Sequence, residues 1–153
     1  MNTDSGSGRY FEDYVVGVER EIGKVSLSEV EMIEFASRYD PQDFHIDPEK
    51  AAAGPFNGII ASGWHTAAVV MRQLVDQYLD SASSLGSPGL DELRWLAPVR
   101  PGDVLTVRVK VLNARRSNSK PNRGLLHTWA EVSNQEGTKV MTMKAVNVVA
   151  CRK

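Results

Sequence analysis

The sequence predicts an α+β fold in which an antiparallel sheet wraps around one long helix. Apolar residues recur at helical spacing in the first half of the chain, and beyond about residue 90 they alternate with polar residues, as in half-buried strands. Helices that precede a run of strands are typical of α+β domains. The chain has 153 residues and no visible linker or repeat, so one domain is expected.

The chain begins with a polar segment that is rich in serine and glycine. Residues 1–8 are therefore expected to be a disordered lead-in, and residues 9–153 are expected to form the folded domain.

The first predicted helix starts after Ser28. Ser28 and Glu31 have the spacing of a capping box, and apolar residues follow at helical spacing. The helix is expected to end at Asp40, because a residue that precedes proline is disfavoured in the α conformation. Residues 40–47 then form a short polar connection, and residues 48–53 are predicted to form another helical turn.

The strongest helix prediction runs from Ser62 or Gly63 to about Asp80. Its apolar residues recur at positions i, i+3, i+4 and i+7, and Val69 and Val70 add apolar side chains outside that stripe. A helix that is apolar around most of its circumference is buried, so the first half of this helix is expected at the centre of the domain.

Alternation with a period of two predicts four strands in the second half of the chain. Residues 93–99 and 105–111 are two of these strands, joined by a turn. Residues 125–132 and 139–149 flank the turn at 134–137 and are expected to pair as a hairpin.

Composition and charge narrow the class of function. The 18 basic and 19 acidic residues leave a formal charge of −1, so nucleic acid and anionic membranes are not expected as partners. The single cysteine, Cys151, forms no internal disulfide and fits a reducing compartment. No apolar run reaches the roughly 18 residues of a membrane span. The sequence thus predicts a cytoplasmic enzyme or binding module.

The connection after the first helix contains a candidate acid/base pair. Asp40 and His45 lie five positions apart in a segment bracketed by prolines, where a carboxyl group and an imidazole can converge on one atom. Alternatively, Asp40 caps a turn and His45 packs on Phe44. Asp47 is expected to be the N-cap of the following helical turn.

Metal binding is a second use of the same region. His45, Asp47 and His65 are the clustered candidates, but their spacing matches no known metal-binding pattern, so no metal is expected.

The start of the long helix is a candidate oxyanion site. Ser62 is a good N-cap, and the backbone N–H groups of Gly63 and Trp64 lie in the first turn, where the helix itself leaves them unsatisfied. Such donors, together with the positive end of the helix dipole, stabilise developing negative charge. The alternative is an ordinary helix start.

Three segments in this order resemble the MaoC-like dehydratase family, which includes the (R)-specific enoyl-CoA hydratases. They are residues 39–48 (YDPQDFHIDP), 61–66 (ASGWHT) and 91–103 (DELRWLAPVRPGD). The resemblance extends over about residues 10–150. It implies a hot-dog fold, in which an antiparallel sheet wraps around a long central helix.

The resemblance also implies roles for individual residues. Asp40 and His45 would be the hydratase dyad, and the N–H of Gly63 would polarise the thioester carbonyl. Ser62 and Trp64 are expected to contact the substrate beside it. The chain departs from the common pattern by having Pro-Gln-Asp-Phe between Asp40 and His45 and a serine before Gly63. The extra carboxylate, Asp43, would raise the pKa of the imidazole if the two were close.

The implied reaction is reversible syn hydration of a trans-2-enoyl thioester, carried by CoA or an acyl carrier, to a 3-hydroxyacyl thioester. No metal or redox cofactor is required. The resemblance further implies a homodimer or higher homo-oligomer with the acyl tunnel between subunits. Two alternatives remain, which are a hot-dog thioesterase and a non-catalytic acyl-CoA-binding module.

A basic cluster is the candidate site for the CoA phosphates. Arg115, Arg116 and Arg123 lie around a polar loop between two strands. Because the net charge of the chain is close to zero, attraction of a CoA thioester requires such a local patch. The alternative is that these are solvated loop charges.

Overall fold

Residues 8–153 are described by the computed structural model, so residues 1–7 of the expected disordered lead-in lie outside the described residues. A 3-10 turn, Phe11–Asp13, precedes the first strand. The helices are α1 (Glu29–Tyr39), α2 (Asp43–Ile46), α3 (Pro48–Ala53) and α4 (Gly63–Gln77). The strands are β1 (Glu19–Ser26), β2 (Gly89–Trp95), β3 (Val104–Arg116), β4 (Arg123–Ser133) and β5 (Lys139–Ala150).

The five strands form one antiparallel sheet in the order β1-β3-β4-β5-β2. The predicted α+β class is therefore confirmed. The hairpin of β4 and β5 is also confirmed, with Val132 paired to Met141 just before the turn. Within residues 8–153 the edges of the sheet along β1 and along β2 pair with no further strand.

One face of the sheet packs on one face of α4 to make the core. Along β4 every second residue is buried, and Leu126 and Val132 are fully inaccessible. Val70 and Leu74 of α4 belong to the same cluster of buried side chains. At the C-terminal end of α4 the Tyr78 hydroxyl lies 2.7 Å from Thr128 Oγ1 on β4, which ties helix to sheet.

The elements differ from the sequence prediction in several places, among them the end of β3, which runs to Arg116 rather than to residue 111. Strand β1 was not predicted, because it begins with three charged residues and buries only Ile22 fully. The strand expected at residues 93–99 is β2, which ends at Trp95, since the chain turns away before Pro98. The polar connection at residues 40–47 contains the short helix α2.

The outer face of α4 is exposed along its length, whereas the sequence predicted burial around most of the first half of the helix. Trp64, Ala68, Met71 and Val75 form an exposed stripe on this face, which we call the α4 stripe. The side chain of Trp64 is 58% exposed and that of Val75 is 52% exposed. The sheet of this chain therefore covers only some of the apolar residues of α4. The stripe continues onto the free edge at β2, because the rings of Trp64 and Trp95 lie 5.1 Å apart.

Within the described part of the chain, no helix is long and apolar enough to cross a membrane. The single cysteine, Cys151, is buried and free.

We expect Leu126→Ala to lower the free energy of unfolding by about 2–5 kcal/mol, because a fully buried leucine leaves a cavity when truncated. Denaturant unfolding followed by circular dichroism measures this change. The control is Val30→Ala on α1, where the side chain is 75% exposed and the change should stay within about 0.5 kcal/mol. Equal losses in the two variants would contradict this assignment of the core.

Candidate active site

A mostly apolar cavity of about 310 Å³ lies beside the N-terminal end of α4. His45, Gly63 and Thr66 line one part of it, and Trp95 and Val99 line another. The cavity thus brings α2, the start of α4 and the segment after β2 together. Its apolar walls suit an aliphatic chain, and its few polar groups are concentrated at the helix start.

The end of α1 and the turn α2 position Asp40 and His45. Asp40 is the C-cap of α1, and Pro41 prevents the helix from continuing. The single turn of α2 then brings His45 back toward Asp40, so that His45 Nε2 lies 3.3 Å from Asp40 Oδ2. The imidazole is buried and the carboxylate is nearly so, with 18% of the Asp40 side chain exposed. The structure therefore brings the predicted pair together.

A backbone carbonyl fixes the tautomer of His45. Its Nδ1 atom lies 2.7 Å from the carbonyl oxygen of Ile60, which only accepts hydrogen bonds, so Nδ1 carries the proton. In the neutral imidazole Nε2 is then the basic nitrogen, and it is the atom that faces Asp40. The edge of the ring also packs on Phe44 with centroids 4.5 Å apart. His45 thus packs on Phe44, as the alternative interpretation predicted, and at the same time pairs with Asp40.

Both oxygens of Asp40 accept hydrogen bonds from neighbouring side chains. The hydroxyl of Ser62 donates to Oδ2, and the amide of Gln42 donates to Oδ1, each over 2.7 Å. Burial alone would raise the pKa of Asp40, but these two donors and the charge of His45 outweigh burial and hold that pKa below its usual value. Asp40 is consequently a carboxylate at neutral pH.

The hydroxyl of Ser62 is fully buried and does not cap α4. Ser62 is the N-cap residue by position, but its side chain makes no capping bond to the helix, because it donates to Asp40 instead. This corrects the prediction of an ordinary N-cap serine. The carbonyl of Ser62 accepts from the backbone N–H groups of His65 and Thr66.

The glycine at the helix start leaves room for an indole. A Cβ atom on Gly63 would lie 2.4 Å from Cε2 of Trp95, so only glycine allows Trp95 to cover the first turn of α4. As the first residue of the helix, Gly63 has an N–H group with no intrahelical acceptor. Among residues 8–153 no other acceptor lies within its hydrogen-bonding reach. The first turn of α4, at the positive end of the helix dipole, thus lies at the cavity wall.

Trp64 points away from the cavity. Its ring is exposed and packs edge to face against Trp95, which is the tryptophan that lines the cavity wall. Trp95 and Gln42 are functional candidates that the sequence reasoning missed. Gln42 lies two residues from Asp40, so its nearness in the sequence could have indicated a contact with that carboxylate. Trp95 is 32 positions from Gly63, and no local pattern connects the two residues.

The remaining acidic residues of this region have other contacts. Asp43 is exposed, and its carboxylate lies 3.6 Å from the Lys50 ammonium group, so it does not approach His45 as the sequence allowed. Asp47 is the N-cap of α3, as predicted, and accepts from the backbone N–H of Lys50. His65 stacks on Phe35. Across residues 8–153 no group of three or more His, Cys, Asp or Glu side chains could hold a metal ion.

The structure does not bring the basic cluster to this cavity. Arg116 pairs with Gly124 and Arg123 pairs with Ala150, at the far end of β5 from Val140, which lines the cavity. Ten residues of strand separate the two ends, which is about 33 Å. Arg116 is also engaged by the Glu12 carboxylate at 3.0 Å. Arg115, Arg116 and Arg123 therefore lie well away from the Asp40 and His45 pair of the same chain.

An antiparallel sheet around one helix, with a carboxylate and an imidazole at the helix start, defines a hot-dog protein with a candidate acid/base site. The family model described as MaoC like domain matches residues 15–143. The chain belongs to this family, and the predicted resemblance is confirmed.

Similar proteins share both the fold and the family. A MaoC-like dehydratase from Rhodospirillum rubrum is 37% identical, with a TM-score of 0.88 and coverage of 95% of this chain and 99% of that chain. An R-hydratase from Pseudomonas aeruginosa is 26% identical, with a TM-score of 0.75 and coverage of 95% and 88%. The 3-hydroxyacyl-thioester dehydratase Z of Mycobacterium tuberculosis is 29% identical over 128 residues, which is 82% of this chain and 85% of the relative.

The predicted hot-dog fold is confirmed by the same likeness. A further Mycobacterium tuberculosis protein, with a double hot-dog fold, has a TM-score of 0.78 over 95% of this chain and 45% of its own. At 19% identity it shows the fold alone.

We expect Gln42→Leu to raise the pKa of Asp40, because the ionised carboxylate loses one of its two side-chain donors. The pKa follows from the carbon-13 shift of the Asp40 carboxyl group across a pH titration. Since the folded-state pKa is lowered, ionised Asp40 stabilises the fold above the unfolded value of about 3.9. That contribution is lost as pH falls through the folded-state pKa, and the variant should retain less of it.

A matched control for this variant is Gln135→Leu. Gln135 donates over 2.9 Å to a different carboxylate, that of Asp103, so the pKa of Asp40 should stay unchanged. An Asp40 pKa that is the same in the wild type and in Gln42→Leu would contradict the assigned role of Gln42.

Proposed function

We propose that this protein hydrates a trans-2-enoyl thioester reversibly to a 3-hydroxyacyl thioester, with Asp40 and His45 as its acid/base dyad. The observation that carries this proposal is the 3.3 Å approach of His45 Nε2 to Asp40 Oδ2 beside an apolar cavity. The relatives named as a 3-hydroxyacyl-thioester dehydratase and an R-hydratase support it.

The dyad would act on one water molecule. The oxygen of the water forms a bond to C3 of the enoyl group while one proton passes to the dyad, and the dyad delivers a proton to C2. The water thus ends as the 3-hydroxyl group and the hydrogen on C2, so no other reactant is consumed. Nδ1 of His45 is committed to the Ile60 carbonyl, so Nε2 is the ring nitrogen that would exchange a proton, and the ionised carboxylate of Asp40 is able to accept one.

The start of α4 would stabilise the thioester oxygen. Addition at C3 moves negative charge onto that oxygen, and the N–H of Gly63, which lines the cavity and has no acceptor within the helix, would donate to it. The positive end of the helix dipole acts in the same direction. The indole of Trp95 covers this turn and forms an apolar wall beside the place where the charge would develop.

Ser62 and Gln42 would act by positioning. They hold the Asp40 carboxylate ionised and aimed at Nε2 of His45, and neither needs to touch the substrate. Trp64 would contribute through its packing on Trp95.

We also propose that two chains associate through the α4 stripe and the free edge of β2. Apolar side chains are exposed along both, with Leu90 48% exposed and Trp95 44% exposed. An exposed apolar strand edge favours pairing with another strand. Because Trp95 lines the cavity and also borders this surface, a second copy would close the acyl tunnel.

The carrier of the acyl group and the cellular location stay predictions. Arg115, Arg116 and Arg123 would reach CoA phosphates only if another subunit presented them to this cavity, given their place at the far end of the sheet. The cytoplasm remains the expected location from the sequence.

Asp40→Asn and His45→Ala should each lower kcat of crotonyl-CoA hydration by at least about a hundredfold, because each removes one group of the acid/base pair. The assay follows loss of the enoyl absorbance together with release of free thiol. Loss of absorbance without thiol indicates hydration, release of thiol indicates the thioesterase alternative, and neither indicates a binding module.

The matched control for the dyad is Asp43→Asn. Asp43 is an exposed carboxylate two residues from His45 that faces Lys50, so kcat should change less than about twofold. Circular dichroism verifies that each variant is folded. Wild-type turnover in a folded Asp40→Asn or His45→Ala variant would refute the dyad.

Met71→Glu should convert the dimer to monomer, because it places a charge in the middle of the α4 stripe. Sedimentation velocity measures the change. Val30→Glu on α1 introduces the same side chain at an exposed position outside the stripe and should leave the dimer intact. A wild-type chain that sediments as a monomer would contradict this assembly.

A further inference from the structure

A second cavity of about 230 Å³ lies at the C-terminal end of α4, away from the candidate active site. The two ends of α4 are 14 residues apart, which is about 21 Å along the helix axis. The second cavity is bounded by the segment that precedes β1, by the inner face of β3 and by the end of α4. Its apolar lining consists of Val15, Val18, Val109, Val111 and the rings of Tyr14 and Tyr78.

Two arginines converge at the mouth of this cavity. The guanidinium groups of Arg9 and Arg20 both donate to one atom, the carbonyl oxygen of Gln77. Gln77 is the last residue of α4, so this carbonyl has no acceptor role within the helix. Each guanidinium carries five N–H donors, and a single carbonyl uses few of them. Most donors of the pair are therefore available to another acceptor.

The positive charge at the mouth has no direct counter-charge. Within residues 8–153, no carboxylate lies within 4.0 Å of the side-chain nitrogens of Arg9 or Arg20. Asp13 lines the cavity, but its carboxylate is held by Arg152 at 2.7 Å. Asp80 is close as well, and it accepts from the backbone N–H of Arg9. Two like charges thus share one neutral acceptor.

The electrostatics of Arg20 agree with this arrangement. Partial desolvation lowers the pKa of Arg20, and the charge of Arg9 lowers it further. An anion between the two guanidinium groups would reverse the second effect.

The interior of the cavity offers no free polar group. The Tyr14 hydroxyl donates to the carbonyl of Tyr78 over 2.7 Å, and the Tyr78 hydroxyl is bonded to Thr128 Oγ1. Burial raises the pKa of Tyr14 to about 12, so its hydroxyl stays neutral. A ligand would therefore meet apolar surface inside the cavity and two cations at its mouth.

We propose that this second cavity binds a small amphiphilic carboxylate, with its aliphatic chain among the valines and its carboxylate between Arg9 and Arg20. A planar carboxylate matches the guanidinium fork with two parallel hydrogen bonds. The cavity is smaller than the roughly 300–1,000 Å³ typical of drug-sized ligands, which restricts the chain to a short one. This site shares no residue with the proposed dyad and does not depend on it.

The test is a titration of the nitrogen-15-labelled full chain with sodium hexanoate, followed by amide NMR shifts. We expect saturable shifts at the amides of Tyr14, Val18 and Val111. 1-Hexanol, which has the same chain without charge, should bind at least about tenfold more weakly, because charge-assisted hydrogen bonds are lost. The hexanoate affinity should also fall as salt is added, since charges at an exposed mouth are screened.

Variants separate the cavity from general charge effects. Arg20→Gln should weaken hexanoate binding by roughly tenfold or more. The matched control is Arg108→Gln, which removes the same charge from an exposed arginine of β3 that pairs with Glu19 at 3.4 Å, and binding should change less than about twofold. Val18→Trp, at a side chain that is 51% exposed, should fill the mouth and abolish binding without harming the core.

Several outcomes would overturn the proposal. These are the absence of saturable shifts at the cavity, equal losses in Arg20→Gln and Arg108→Gln, and hexanol binding as tightly as hexanoate. Inorganic phosphate that shifts the same amides as strongly as hexanoate would indicate an anion site without selectivity for an apolar chain. The Asp40→Asn variant should bind hexanoate as the wild type does, so failure of the proposed hydratase would leave this site intact. Shifts confined to His45 and Gly63 would instead place the hexanoate in the first cavity.

Discussion

The candidate active site depends on one contact, in which the Ser62 hydroxyl donates to the Asp40 carboxylate over 2.7 Å. This bond joins the end of α1 to the start of α4, two points 22 residues apart in the chain. Because Pro41 ends α1 there, Asp40 projects toward α4 and His45 returns to meet it through the single turn of α2. Partial burial alone would raise the pKa of Asp40, and the bonds donated by Ser62 and Gln42, together with the charge of His45, outweigh that effect. The bond from Ser62 therefore helps both to position the candidate base and to keep it ionised.

The sequence predicted those elements whose apolar residues pack into the core of this same chain. Helix α1 and strand β4 follow their apolar patterns closely, because one face of each packs inside this chain. Strand β5, which was also predicted, is buried at consecutive residues and so on both of its faces. The edge strand β1 was missed, since an edge strand buries little and its pattern is correspondingly weak. The exposure of the α4 stripe was also missed, because periodicity records that a face is apolar and not which molecule covers it.

The candidate site was predictable in part, and the reason differs among its residues. Asp40 and His45 lie within one short connection, so their spacing alone indicates that they can meet. Trp95 reaches Gly63 only because β2 runs along the sheet edge beside α4, which is a tertiary contact without a local signal. The arginines that flank the β3–β4 loop have the charge that binding of CoA phosphates requires. The strand register places them at the opposite end of the sheet from the cavity. A cluster of basic residues in the sequence thus indicates which ligand could bind, but not where in the fold the cluster lies.

The dipole of helix α4 makes its N-terminal end partly positive and its C-terminal end partly negative, and different groups lie at the two ends. At the N-terminal end Gly63 lines the first cavity and its N–H has no acceptor within the helix, so a developing negative charge there would meet a preorganised donor. At the C-terminal end the carbonyl of Gln77 attracts Arg9 and Arg20, which more than neutralise it. The excess positive charge is then directed at the second cavity. Both ends of α4 would consequently favour an anionic oxygen. The N-terminal end would do so through the helix dipole itself, and the C-terminal end through the two arginines that bind its last carbonyl.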